Sequence, residues 1–141
     1  MSLKDLRKIP LITQTRSTLV SIGAGAVIIK DGQVLLVKSK DDPRWKFPGG
    51  HLHNDESISQ AIMRETLEET GLEVKLFGQP FVYEYDLNDE LHLILFYYQA
   101  EVVGNGAPEN NDEIVEIGWF NTTNLPDNCF GNVKGVIDYL D

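Results

Sequence analysis

Gly49-Gly50-His51-Leu52-His53-Asn54-Asp55-Glu56, running on through Ala61-Ile62-Met63-Arg64-Glu65-Thr66-Leu67-Glu68-Glu69-Thr70-Gly71-Leu72, is the stretch around which the chain is organised. It reads as a glycine turn, a short strand, a loop and a helix, with Asn54 or Asp55 as N-cap and Gly71 as the C′ residue that ends it. At about 100° per residue, Glu65, Glu68 and Glu69 share a sector of roughly 100° with Ile58, Ala61 and Ile62, so a core-facing stripe turns acidic partway along. Like charges three and four apart cost a helix roughly 0.2–0.5 kcal/mol per pair, and glutamates in a last turn oppose its dipole. A helix that breaks its local rules in this way marks a site.

Three carboxylates on a partly core-facing surface need a cation, because burying even one unpaired charge is costly. Arg64 reaches Glu68 at a spacing of four and neutralises part of the set. Hard oxygen ligands without cysteine, and with histidines only on the adjacent strand, favour Mg²⁺ or Mn²⁺ over zinc. Metals held by few carboxylates complete their shells with water and substrate phosphates, and they stabilise charge on phosphate oxygens. Gly49 and Gly50 let the backbone approach a phosphate, and Lys38 or Arg44 supplies a point charge to it. These parts suit hydrolysis of a phosphoanhydride. His51 and His53 share one face of the short strand but lack an identified third ligand, and His92 and Cys129 read as structural.

The spacing also carries a resemblance. Gly50, five residues, Glu56, seven residues and then Arg64-Glu65-Thr66-Leu67-Glu68-Glu69-Thr70-Gly71-Leu72 resembles the signature box of the Nudix hydrolases. That pattern is Gly, five residues, Glu, seven residues, then Arg-Glu-apolar-any-Glu-Glu-any-Gly-apolar, and all seven fixed positions match. Thr66 stands at an apolar position, and Asp55 stands where relatives often have glycine. The resemblance implies an α/β/α sandwich with a mixed sheet. It implies divalent metals on Glu65, Glu68 and Glu69, with Arg64 and Glu56 holding that cluster. It also implies water attack at phosphorus of a nucleoside diphosphate linked to another group. The general base varies in the family between a box glutamate and a carboxylate from a later loop. Glu65 is the first choice here. Glu113, ahead of Glu116 and Asp112, is the alternative base and a further metal ligand, because relatives often have an acid just before a strand ending Trp-Phe, as Trp119-Phe120 does. Asn132, after Leu125-Pro126 and Phe130-Gly131, resembles the position of a base-reading asparagine in the oxidised-guanine triphosphatases of the family, a helix N-cap being the plainer role. These likenesses favour a nucleoside triphosphate pyrophosphohydrolase over an ADP-ribose or nucleotide-sugar pyrophosphatase, with a catalytically silent nucleotide-binding sensor as the reading from another class.

Outward from this stretch, Leu19 to Ile29 and Val34 to Val37 flank Asp31-Gly32 as a hairpin. Leu72 to Leu76 reads as a strand. Phe81 to Tyr85 and Leu91 to Val103 read as a central hairpin around residues 86–90. Ile114 to Phe120 is a further strand, and a terminal helix runs from about Asn132 to Leu140. Strands on both sides of one marked helix, with another at the end, predict a mixed α/β sheet covered on two faces. Trp45, Phe47 and the tyrosines of the strands read as packing groups.

The 141 residues suit one domain over 1–141, with 1–16 a loosely attached N-terminal segment. Twelve Lys and Arg against 22 Asp and Glu, a net charge of −10, argue against duplex nucleic acid or an anionic membrane as partner. A nucleotide-type small molecule remains. One cysteine excludes an internal disulfide and a multi-cysteine zinc site. A cytoplasmic setting is the expectation, since no apolar run reaches the ~18 residues of a spanning helix. The protein is expected to be a monomer or homodimer.

Overall fold

Six strands share one sheet in the order β4-β5-β1-β2-β6, with β3 paired to β1 off that path. The structure is a computed structural model and describes residues 19–140 except Asn54 and Leu87; the Tyr85 side chain is also outside the description. The expected N-terminal segment over 1–16 lies outside the described residues. The elements are β1 (Leu19–Lys30), β2 (Gln33–Ser39), β3 (Gly49–His51), α1 (Ile58–Thr70), β4 (Val74–Asp86), β5 (Leu91–Val102), β6 (Ile114–Asn121) and α2 (Gly131–Leu140).

The Asp31-Gly32 hairpin forms as expected, with both residues at positive φ, and β1 pairs antiparallel with β2 from Ile29 and Lys30. The rest of β1 runs parallel to β5 over Leu19 to Ile28, while Gly23 to Gly25 pair antiparallel with β3. The sheet is therefore mixed. Side-chain alternation along β1 and β2 divides the core. Val27, Val34 and Leu36 face Val133, Val136 and Ile137 of α2, and Ala24, Ala26, Ile28 and Leu35 face Ile62 of α1. Burial on both faces explains why Val34, Leu35, Leu36 and Val37 form an unbroken apolar run, each fully buried. Among the described residues no helix is long and apolar enough to cross a membrane.

Three expectations change. The cap of α1 is Ser57, not Asp55, while Asn54 lies outside the described residues: the Ser57 hydroxyl accepts from Gln60 N, and the Gln60 side chain accepts from Ser57 N. This reciprocal pair satisfies two of the free amides at the helix start. Leu72 to Leu76 and Phe81 to Tyr85 are not separate strands. Gly78, at φ 73°, lets the chain bulge between Phe77 and Phe81, and β4 continues through Pro80 against β5. The β4–β5 hairpin is at the edge of the sheet rather than its centre, because β1 takes the inner side of β5.

The C-terminus of α1 agrees with the expectation. Gly71 is left-handed at φ 74° and its amide donates to Leu67 O at 2.8 Å. Thr66 is fully buried and its hydroxyl oxygen has no hydrogen-bond partner, so the threonine at the box's apolar position leaves a polar atom unsatisfied.

Candidate active site

The acidic end of α1 lies against the glycine pair that begins β3. Gly49 N donates to Glu69 Oε1 at 2.8 Å, and the carboxyl of Glu65 rests on Gly50 so closely that a Cβ there would stand 2.8 Å from its Cδ and Oε1. At Gly49 a Cβ would come within 2.1 Å of Ala24 O in β1. Both glycines are thus required by close packing of backbone and carboxylates, whatever else they touch. The two substitutions should behave differently. Gly50→Ala meets the end of a flexible side chain, so the fold is expected to survive while displacement of Glu65 lowers kcat about 10- to 100-fold. Gly49→Ala meets backbone and is expected to yield little folded protein. Circular dichroism and steady-state kinetics on both variants check the contrast.

Arg64 ties three glutamates together. Its Nε and Nη2 donate to the two carboxylate oxygens of Glu56 at 2.8 and 2.7 Å, and Nη1 donates to Glu65 Oε1 and Glu68 Oε2, each at 3.1 Å. His53 N adds a bond to Glu56 Oε1 at 2.9 Å. The Arg64 guanidinium first, then this amide, hold the Glu56 carboxyl down at about 2. The Arg64 pKa is raised in turn, chiefly by its bond to Glu56.

Glu69 has the opposite environment. It is 4% exposed, and burial pushes its carboxyl up to about 7 despite the Gly49 amide. Its second oxygen, Oε2, is buried with no hydrogen-bond partner. An orphaned carboxylate oxygen beside the partly buried Glu65 is where a hard cation fits. Glu68 does not face this point with the other two, since its side chain is 58% exposed and pairs with Arg64. Among the described residues no group of three or more His, Cys, Asp or Glu side chains forms a metal-holding set. A cation at Glu65 and Glu69 would therefore draw most of its shell from water and phosphate oxygens.

Glu113 approaches from the loop before β6, and its charge further raises the Glu69 carboxyl. Asn111, which the sequence reading passed over, holds that loop. Its Nδ2 donates to the carbonyls of Glu68 and Glu69 at 3.0 and 2.9 Å, and its Oδ1 accepts from the amides of Glu113 and Ile114 at 2.9 Å each.

Beside the glutamates is a cavity of about 240 Å³ whose lining includes Lys46, Phe47, Gly50, Tyr97, Phe130 and Asn132. Asn132 is the second residue of α2 and reaches across to Tyr97, its Nδ2 donating to the tyrosine hydroxyl. Phe47 and Tyr97 pack with ring centroids 5.1 Å apart. Gly49, Gly50 and Asn132 thus share one cavity, with Glu65 and Glu69 at its glycine wall. Lys38 and Arg44 are not among the lining residues. Lys38 pairs with Glu116 at 3.5 Å and lies 4.6 Å from the Trp45 ring centroid. Arg44 forks onto Asp42 at 3.1 and 2.8 Å and lies over the Phe130 ring, 3.9 Å from its centroid. Of the histidines, His51 lines the cavity and meets Ser21 Oγ at 3.2 Å, while His92 lies between Asp86 and Glu84 on the edge hairpin.

The family profile of the NUDIX domain matches residues 20–137. An ADP-ribose pyrophosphatase of Methanocaldococcus jannaschii is 30% identical over 97% of this chain and 80% of its own length. A Bacillus subtilis protein provisionally named an 8-oxo-dGTP diphosphatase is 35% identical over 74% of this chain and 68% of its own. Among solved structures, a MutT NUDIX hydrolase of Burkholderia pseudomallei superposes with a TM-score of 0.74 at 27% identity, covering 87% of this chain and 99% of that one.

Proposed function

The chain belongs to the Nudix family of hydrolases, acting on nucleoside diphosphate-linked substrates, and on that premise we propose that its substrate is a nucleoside triphosphate, cleaved with Mg²⁺ or Mn²⁺ to a nucleoside monophosphate and pyrophosphate. The observation that carries this reading is Asn132 in the cavity beside Tyr97. An amide with donor and acceptor, set among Phe47, Tyr97 and Phe130, suits the edge and faces of a nucleobase. The cavity, at about 240 Å³, is below the usual size for a drug-sized ligand and matches one base better than two nucleosides.

Members of the family generally use divalent metal ions. When bound, such an ion supplies charge neutralisation on the phosphate oxygens. The residues that would hold it are Glu65 and Glu69, with Glu68 and Glu113 at its margin. The reaction adds a water oxygen to one phosphorus of the α–β anhydride and breaks its bridging P–O bond, whose electron pair leaves on the other product, so that monophosphate and pyrophosphate result. Glu65 takes the proton of the attacking water, Glu113 being the alternative base. Arg64 and Glu56 fix the Glu65 carboxylate in its one working position, and the Gly49 amide does the same for Glu69. A nucleotide base in the cavity brings its phosphates toward these carboxylates.

Asn132→Ala tests the base assignment. Across a panel of canonical and oxidised nucleoside triphosphates, kcat/KM for the preferred base is expected to fall about 10-fold or more as the unpaired base edge is left without a partner. Unchanged preference would remove the nucleobase reading. The second reading, ADP-ribose pyrophosphatase, draws on the Methanocaldococcus relative. It predicts AMP and ribose 5-phosphate from ADP-ribose, with the triphosphates left intact.

A further inference from the structure

Lys46 differs from the other cations near the cavity. Lys38 and Arg44 each have a carboxylate partner, Glu116 and Asp42. Lys46 is half-buried in the cavity wall, and among the described residues its ammonium makes no ion pair. Its position is nevertheless held firmly. Its amide donates to Val37 O at 2.9 Å, its carbonyl accepts from Val37 N at 2.8 Å, and the buried rings of Trp45 and Phe47 flank it. The fold therefore fixes a cation in the cavity wall that acts on the carboxylates of Asp42 and Glu69 without a direct ion pair to either, which leaves its ammonium open to an incoming anion.

The place of that charge defines the anion. Lys46 shares the cavity lining with Phe47, Tyr97, Asn132 and the glycines Gly49 and Gly50, and Glu65 and Glu69 rest against those same glycines. The Lys46 charge is near enough to Glu69 to oppose the rise of its carboxyl pKa. A nucleotide with its base in the cavity and its outer phosphates at the acid cluster brings its ribose and the phosphate attached to that ribose between the two, and this phosphate is the anion nearest the base. We propose that Lys46 binds this phosphate and thereby makes the cavity select nucleotides over nucleosides. The inference rests on the nucleobase reading of the cavity given above.

The test is calorimetric titration, in Mg²⁺, of AMP, GMP, adenosine and guanosine into the wild type, Lys46→Met and Lys46→Arg. The monophosphates are products under the proposed reaction, so the titration reports binding without turnover. The wild type is expected to bind at least one monophosphate more tightly than its nucleoside. Lys46→Met should weaken that monophosphate about 10-fold or more, the scale of one lost charge-assisted hydrogen bond, and leave the nucleoside unchanged. Lys46→Arg should keep most of the affinity. Equal losses for monophosphate and nucleoside would mean that Lys46 only fills space, and no loss would mean that it does not reach the phosphate. Either result overturns the assignment while the nucleobase cavity stands. A wild type that binds none of the four overturns the assignment, and the triphosphate panel with Asn132→Ala decides the nucleobase reading separately.

Discussion

Glu69→Gln is expected to lower kcat on the order of 10³-fold and, at pH 8 in the presence of a chelator, to leave the protein more stable than the wild type. The first effect follows from the unpaired oxygen. Glu69 Oε2 is a buried carboxylate oxygen without a hydrogen-bond partner, and a neutral amide there would no longer attract a cation to the phosphates. The second follows from the sign of its pKa shift. A carboxyl raised from 4.5 to about 7 in the folded state contributes stability that is complete below pH 4.5 and is lost as pH rises through 7. Metal-free wild type at pH 8 therefore carries a burden on the order of 3 kcal/mol that glutamine lacks. Added Mg²⁺ should raise the melting temperature of the wild type, since an ion that binds only the folded state stabilises it, and should leave Glu69→Gln unmoved. Equal activity, or an equal Mg²⁺ response in both proteins, would remove Glu69 from the metal site.

Arg64→Met is expected to reduce kcat about 100-fold, to lower the melting temperature, and to flatten the acid dependence of stability. One guanidinium holds Glu56 by two bonds and Glu65 and Glu68 by one each, so the substitution leaves three adjacent carboxylates without their common cation. Glu65 then loses its fixed position at Gly50. A misplacement of about 1 Å at a reacting group is enough for a loss of this size. The Glu56 carboxyl sits at about 2 rather than its ordinary 4.5, so its contribution is present above pH 4.5 and lost as pH falls toward 2. The gap in melting temperature between wild type and Arg64→Met should narrow over that window. Arg64→Lys should not rescue, because an ammonium cannot make the two parallel bonds to Glu56. A gap that stayed constant with pH would place the stabilising role elsewhere.

The sequence made the chemistry of α1 legible because the information is local. Helical spacing puts Glu65 and Glu69 on the side that packs against the glycines, and the Asp-Gly turn and Gly71 cap follow from backbone conformations that few residues adopt. Ser57 was obscured by Asn54 and Asp55, which are equally good caps by type. What distinguishes Ser57 is Gln60 three residues on. Gly78-Gln79-Pro80 looks like a break between strands, yet a bulge absorbs the extra residues and β5 keeps the pairing on both sides. Lys38 and Arg44 looked like a phosphate patch because they are close in the chain. Cross-strand pairing instead sets Lys38 opposite Glu116, a contact visible only once the β2–β6 register is known.

The cavity was the least legible part, because its walls come from distant segments. The parallel pairing of β1 with β5 brings Tyr97 beside the glycines, and the bridge between Trp45 and Cys129 brings Phe130 and Asn132 next to Lys46 and Phe47. No spacing in the chain reports these encounters. Asn132 was reached through a resemblance, while Lys46, Tyr97 and Phe130 carried no comparable signal. Asn111 likewise reads as one more polar loop residue until its side chain is seen on the carbonyls that end α1.

The most direct measurement follows the products by ³¹P NMR, with the wild type supplied in parallel with nucleoside triphosphates and ADP-ribose, each with Mg²⁺ and with chelator. The expected result is at least one triphosphate converted to its monophosphate and pyrophosphate, only with Mg²⁺ and faster than ADP-ribose is cleaved. Triphosphates left intact while ADP-ribose yields AMP and ribose 5-phosphate, or cleavage that continues in chelator, would contradict the account.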